Sequence, residues 1–270
     1  MRWIPGSRSP NLEDRRGQRF GGFGRMGLGG AVVVLVLSLV FGRDFTGILS
    51  DGGEVGSPSA PEESGAPVQS RPEEERLVDF VSFVLDSAQA TWARTLPEEG
   101  ARYRAAKLVL FRDAVQSACG FGQAASGPFY CPGDEKVYID LGFFEDLKSR
   151  FGAPGDFAQA YVLAHELGHH VQNLRGTLGM PGDNRQSVQI ELQADCLAGI
   201  WGHHASRQNL LEPGDVEEGM GAAASVGDDR AQGMAAGRVS PENFTHGSSA
   251  QRVAAFRRGL TSGRVADCGS

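Results

Sequence analysis

One nine-residue run limits the folds open to this chain more than any other feature: Ala164-His165-Glu166-Leu167-Gly168-His169-His170-Val171-Gln172. It sets H-E-x-x-H inside a segment of helical periodicity. On a helix, His165 and His169 lie one turn apart on one face, so both imidazoles reach the same ion. Glu166 stands one residue beyond the first of them, where its carboxylate reaches a water on that ion. Two neutral nitrogen ligands and a positioned base are the core of a zinc hydrolase site.

A catalytic zinc takes three protein ligands and keeps one position open for water. H-E-x-x-H supplies two, so a second element must supply the third. The motif helix is predicted to start at Asp156, which follows Pro154-Gly155 and can cap it, with Gln159 at the capping-box position. It runs to about Leu174, and Gly176 suits a left-handed stop. A Gly/Pro/Asn loop from Thr177 to Arg185 leads to a second helix from about Ser187 to Ala205. There Glu191 and Asp195 lie one turn apart and face the same way. Packed on the first helix, this one can bring Glu191 to the ion. Asp195 can then accept the spare ring N–H of a ligand histidine, a bond that fixes the tautomer and orients the ring.

The remaining pattern is mixed. Leu77 to Trp92 has apolar residues at helical spacing, Lys107–Phe111 and Lys136–Leu141 read as short strands, and a Gly/Ser loop lies between them. Phe143 to Arg150, Pro213 to Val226 and Ser248 to Gly259 read as helices, the last opening with Ser248 and Gln251 in capping-box spacing. The four cysteines, Cys119, Cys131, Cys196 and Cys268, allow three pairings. Cys119 and Cys131 bracket a glycine-rich loop and are the easiest to close, which would leave Cys196 with Cys268. Reduced, buried cysteines are the other reading. No C-x-x-C occurs, which argues against a cysteine zinc site.

The N-terminal quarter does not read as globular. Arg2, Arg8, Arg15, Arg16, Arg19 and Arg25 face only Glu13 and Asp14, and Met26 to Gly42 is an uncharged stretch rich in Val and Leu. Gly, Ser, Pro and Glu then dominate from Asp51 to about Glu75. The expected organisation is a basic cytoplasmic tail (1–25), a transmembrane anchor (26–43), a disordered linker (44–75) and a globular domain (76–270). Arginines before the apolar stretch and acids after it keep the N-terminus cytoplasmic and put the domain outside the cell membrane. A cleaved signal peptide is the rival reading, disfavoured by the long basic region and the lack of an A-x-A site after Phe41. The formal net charge of −7 and the lack of a basic stripe with aromatics exclude nucleic acid as a partner.

The phrases H-E-L-G-H-H-V-Q and E-L-Q-A-D-C-L-A-G-I-W resemble the YpfJ-like family of bacterial neutral zinc metallopeptidases. Gly127-Pro128-Phe129-Tyr130-Cys131-Pro132, Val137-Tyr138-Ile139-Asp140, Gly227-Asp228-Asp229-Arg230 and Phe244-Thr245-His246-Gly247-Ser248-Ser249 agree in order, so the likeness covers roughly Leu77 to Cys268. H-E-x-x-H with a later E-x-x-A-D is similar to the gluzincin pattern. The resemblance implies His165, His169 and Glu191 as ligands of Zn2+ and Glu166 as general base. It implies a zincin-like α+β fold, mainly helical with a small sheet, and a peptide or protein as substrate.

The expected function is therefore a membrane-anchored zinc peptidase. Its oxyanion needs a donor besides zinc, and Tyr130, Tyr138 and His246 are the candidates, with His246 alone in a phrase that suggests a site. Val137 to Asp140 is the strand expected to hold the substrate backbone. His170 lies off the ligand face and reads as a packing or surface residue. His203-His204 read as exposed at a helix end, and Asp228 and Asp229 as a helix cap or partners of Arg230. A zinc-stabilised binding or scaffold module without turnover is the competing function. Retention of Glu166 favours the enzyme, since a structural site gains nothing from a base. A deformylase is discounted because its Glu-Gly-Cys phrase is absent.

Overall fold

The two segments read as short strands, Lys107–Phe111 and Lys136–Leu141, join a sheet with two different faces. The computed structural model describes residues 1–18, 70–123, 127–179, 182–236 and 239–269. The strands are β1 (Leu12–Asp14), β2 (Lys107–Phe111), β3 (Ala114–Ser117), β4 (Gly120–Gln123), β5 (Phe129–Cys131) and β6 (Lys136–Asp140). One sheet has the order β1-β2-β6-β5, parallel except for the antiparallel β5, and β3 and β4 form a separate antiparallel hairpin. Successive side chains point to opposite faces of a strand. Leu108, Leu110, Val137 and Ile139 accordingly enter the main core, while Val109, Phe111 and Tyr138 join Val115 and Cys131 in a smaller core on the other face.

The helices are α1 (Pro72–Glu98), α2 (Gly142–Ser149), α3 (Asp156–Arg175), α4 (Asn184–Arg207), α5 (Asp215–Ser225), α6 (Asp228–Ala236) and α7 (Ser249–Ser262), with 3-10 turns at Pro241–Asn243 and Val265–Cys268. The expected α+β class, mainly helical with a small sheet, is what the chain adopts. Helix α3 is central: from Phe157 to Val171 nearly every residue is buried, including His165 and Glu166. A helix buried on all sides cannot place polar groups in bulk water, so its histidines and acid must face a cleft or a partner.

Local signals fared unevenly. Gly176 ends α3 at φ 70° as expected, and Ser248 with Gln251 forms the full capping box of α7. Asp156, however, does not cap α3: its carboxylate holds the Met1 ammonium at 2.9 and 3.0 Å, and the Phe157 amide instead donates to Glu218 Oε2 of α5 at 3.1 Å. The cap of α4 is Asp183 rather than Ser187, accepting from the Gln186 amide at 2.9 Å. Helix α6 and the β3–β4 hairpin were not expected; the hairpin lies in the segment that glycine and serine made read as a loop. Strand β6 is paired on both sides, by β2 and β5, so Val137–Asp140 has no free edge for a substrate. The edge strand on that side is β5.

The N-terminal expectation needs correction. The apolar stretch read as an anchor over 26–43 lies outside the described residues, as does most of the linker. Pro72 to Glu75 of that linker are the first turn of α1. The tail does not stand apart from the domain. Strand β1 pairs with β2, Trp3 packs on Phe80 with ring centroids 5.4 Å apart, and the buried Arg16 side chain binds Asp14, Glu74 and Glu75. Met1–Gly17 thus belongs to the same unit as the globular residues. A ladder cannot form between segments on opposite faces of a bilayer. Among the described residues no helix is long and apolar enough to cross a membrane. The expected single-pass placement, with a cytoplasmic tail and a domain outside the cell membrane, is therefore overturned.

Two disulfides form, Cys119–Cys131 and Cys196–Cys268, with Cα atoms 5.7 and 5.5 Å apart. The second fastens α4 to the segment after α7, where those helices cross without room for a side chain. A Cβ at Gly259 would stand 1.8 Å from the Cys196 carbonyl oxygen, and one at Gly199 2.1 Å from that of Phe256. Both obstacles are helix backbone, so the helices would have to part. Gly259→Ala is expected to destabilise the protein by about 3 kcal/mol, the upper end for overpacking. A urea midpoint equal to that of the wild type would contradict so tight a crossing.

Candidate metal centre

The two motif histidines converge with Glu191 because α3 and α4 approach at a glycine. A Cβ at Gly168, inside the motif, would lie 2.9 Å from the Ala194 carbonyl oxygen. With no side chain there, the turn of α4 that carries Glu191 and Asp195 settles on the turn of α3 that carries the imidazoles. His165 Nε2 lies 3.2 Å from Glu191 Oε2, and His169 Nε2 lies 3.5 Å from Glu191 Oε1. Among the described residues, His165, His169 and Glu191 form a cluster whose ligand atoms all fall within 4.8 Å of one another.

The other ring nitrogens decide which lone pairs are free. His165 Nδ1 meets Asp195 Oδ1 at 2.8 Å, and a carboxylate accepts, so Nδ1 carries the proton and Nε2 the lone pair. His169 Nδ1 meets Gln172 Oε1 at 2.8 Å. The Gln172 amide nitrogen is committed to Ile190 O at 2.8 Å and Gln193 Oε1 at 2.9 Å, so its oxygen is the acceptor for His169. Both imidazoles thus offer Nε2 to the point that the Glu191 carboxylate also reaches. Ligands at about 2.0–2.1 Å around a tetrahedral zinc stand about 3.3–3.4 Å apart. The observed separations of 3.2 and 3.5 Å bracket that edge, so the residues fit the ion.

Without a metal, these groups answer to one another's charge. Burial works against a charged His165, but Asp195 and Glu191 outweigh it and hold the imidazole up at about 10. Burial also opposes ionisation of Glu191, and here His169 and His165 prevail and keep its carboxyl well below the usual range. Glu166 goes the other way: desolvation raises its carboxyl despite the two histidines. A divalent ion replaces the proton in such a site, so binding releases protons.

The centre opens into a cleft of about 820 Å³, whose walls include Phe129 and Tyr130 of β5, Phe143 and Phe151 near α2, and His246. Tyr130 and Tyr138 drop out as oxyanion donors. His170 Nε2 meets the Arg104 carbonyl oxygen at 2.7 Å and must donate to it, which leaves Nδ1 as the acceptor of the Tyr130 hydroxyl proton at 2.9 Å. Asn173 Nδ2 donates to the same hydroxyl at 3.0 Å, so Tyr130 has no proton to spare. Burial keeps the His170 imidazole below its usual value, in line with its neutral, structural role. Tyr138 donates to Asp134 Oδ2 at 2.7 Å and is buried on the far face of the sheet. His246 stays at the cleft, half exposed, with Nδ1 3.1 Å from Asp228 Oδ1.

Asp228 and Asp229 hold the segment that leads into α7 and do not pair with the Arg230 side chain. Asp228 Oδ2 accepts from the amides of Thr245, His246 and Gly247, and Asp229 Oδ1 from that of Ser249. His203 binds the Leu260 carbonyl oxygen at 2.9 Å, and neither it nor His204 is exposed as expected.

Three participants escaped the sequence reading: Gln172, Tyr161 and Arg252. Helical spacing held the signal for two of them. Tyr161 lies one turn before His165, and Gln172 three residues after His169. Arg252 stands one turn before Phe256 on the buried face of α7, a charge on an apolar stripe.

A family model described as "Putative neutral zinc metallopeptidase" matches residues 1–270. The "Uncharacterized protein YpfJ" of Escherichia coli (strain K12) is 42% identical over 287 aligned positions, covering 99% of this chain and 98% of its own. The "Uncharacterized protein Rv2575" of Mycobacterium tuberculosis (strain ATCC 25618 / H37Rv) is 43% identical over 194 positions, covering 66% of this chain and 65% of its own. No solved structure matches. With the motif, the converged donors and a match along the whole length together, the chain belongs to this neutral zinc metallopeptidase family.

Proposed function

We propose that this protein is a zinc-dependent peptidase in which His165, His169 and Glu191 hold the metal and Glu166 is the general base. The observation that carries the reading is that His165 Nε2 and His169 Nε2 lie 3.2 and 3.5 Å from the two carboxylate oxygens of Glu191, with both histidine Nδ1 atoms already paired elsewhere. When bound, zinc supplies Lewis acidity to a peptide carbonyl and makes water a nucleophile near neutral pH. Glu166 takes the proton of that attacking water and passes it to the leaving amine. Its desolvated carboxyl has a raised proton affinity, which suits a group that must both take and return a proton. His246, whose Nδ1 lies 3.1 Å from Asp228 Oδ1, is the side chain at the cleft that would stabilise the oxygen that gains charge. The substrate backbone adds to the outer edge of β5, which borders the cleft, in place of the expected Val137–Asp140.

The scaffold reading would need a closed site with four protein ligands. The cluster found among the described residues has three, and the cleft lies open beside it. The test is metal analysis of the purified protein beside a casein assay. One zinc per chain, activity abolished by chelator and restored by zinc, and loss of both metal and activity in Glu191→Ala are the expected results. Activity that persists after the metal is removed would refute the reading.

A further inference from the structure

Arg252 is a charged side chain at 4% exposure on the buried face of α7, and nothing in H-E-x-x-H chemistry calls for it. Its guanidinium forks onto the fully buried Asp195: Nε meets Oδ2 at 2.8 Å and a terminal nitrogen meets Oδ1 at 2.9 Å. The same terminal nitrogen lies 3.3 Å from the Tyr161 hydroxyl and 3.4 Å from His165 Nδ1, and the other donates to the Val226 carbonyl oxygen at 3.3 Å. Tyr161 in turn donates to Asp195 Oδ1. A carboxylate that accepted only from an imidazole could turn about its own axis. With Oδ2 held by Nε and Oδ1 shared by three donors, Asp195 has one orientation. Guanidinium has no acceptor, so the nitrogen beside His165 Nδ1 cannot take that proton. The Nδ1–H must go to Asp195, and Nε2 is left turned toward Glu191.

We propose that Arg252 is a positioning residue for the metal centre: from α7 it locks Asp195, and through Asp195 it fixes the ring orientation and tautomer of His165. The proposal rests on the metal-centre reading above. Lysine cannot replace the fork, because an ammonium is a point charge without two parallel N–H bonds.

The test compares zinc affinity by chelator competition in the wild type, Arg252→Met, Arg252→Lys, Tyr161→Phe and a Glu191→Ala control. All are checked for native circular dichroism, and the downfield proton resonance of His165 Nδ1–H is recorded beside them. Arg252→Met is expected to weaken zinc binding by about 10–100-fold, the usual cost of losing a partner behind a ligand, and to lose the resonance. Arg252→Lys should recover part of the affinity, and Tyr161→Phe should shift it in the same direction by less. Wild-type affinity together with a retained resonance in Arg252→Met would overturn the proposal. Should that variant not fold, the same result in both Arg252→Lys and Tyr161→Phe would overturn it. If Glu191→Ala loses zinc while the Arg252 variants keep it, the inference alone fails. A wild type without zinc affinity overturns the metal-centre reading and this inference with it.

Discussion

Glu166→Gln is expected to bind zinc with wild-type stoichiometry and to cleave peptides about 10²–10⁴-fold more slowly, the range for removal of a general acid–base group. The substitution keeps the volume and one acceptor oxygen of a side chain that is only 8% exposed, so it leaves the packing of α3 in place. It removes the one property that the proposed mechanism requires, the capacity to take a proton from water. Glu166 is not in the cluster that can hold an ion, so metal content should not follow activity downward. Measured zinc content and single-turnover peptide cleavage on the same sample separate the two effects. Full zinc content with a wild-type rate would remove Glu166 from the mechanism. Joint loss of zinc and rate would instead make it part of the ligand set.

Replacing Cys196 and Cys268 together by Ala is expected to lower stability by about 4 kcal/mol, and the same change at Cys119 and Cys131 by about 3 kcal/mol. Both estimates follow from the loop-closure entropy of the unfolded chain. The order comes from the sequence separations, 72 residues against 12. The longer bridge also has a position that the shorter one lacks. Cys196 follows Asp195 on α4, and Cys268 closes the turn after α7, the helix that carries Arg252. Cutting it frees α7 to part from α4 where Gly199 and Gly259 let the backbones touch. Urea unfolding of both double variants tests the ranking. Equal midpoint losses, or a larger loss at the shorter loop, would contradict it.

The candidate metal centre was largely legible in the sequence. H-E-x-x-H at helical spacing and E-x-x-x-D on the following helix describe pairs one turn apart, and that relation survives any packing in which the helices form. The stop at Gly176 and the box at Ser248 and Gln251 were legible for the same reason, since the groups involved are neighbours along the chain. What failed was long-range. Asp156 was read as a cap because the sequence does not reveal that the Met1 ammonium and Glu218 would meet that helix end. Val137–Asp140 was read as an open edge because residue content identifies a strand without identifying its neighbours. The arginines near the N-terminus were read as a topogenic charge, whereas Arg8 and Arg16 are partners of acids on α1.

Periodicity and motif spacing by themselves determined where the main helices run and which side chains share each helical face. Those properties depend on contacts within a turn or two of the chain. The tertiary structure decided the rest: the approach at Gly168 that brings Glu191 to the imidazoles, the Gln172 and Asp195 bonds that choose Nε2, and the arrival of Arg252 from the far end of the chain. It also committed the Tyr130 proton to His170 and placed the first strand in the sheet. Each of these pairs groups far apart in sequence, and only close packing of separate elements sets the distances that make a lone pair free or a proton spent.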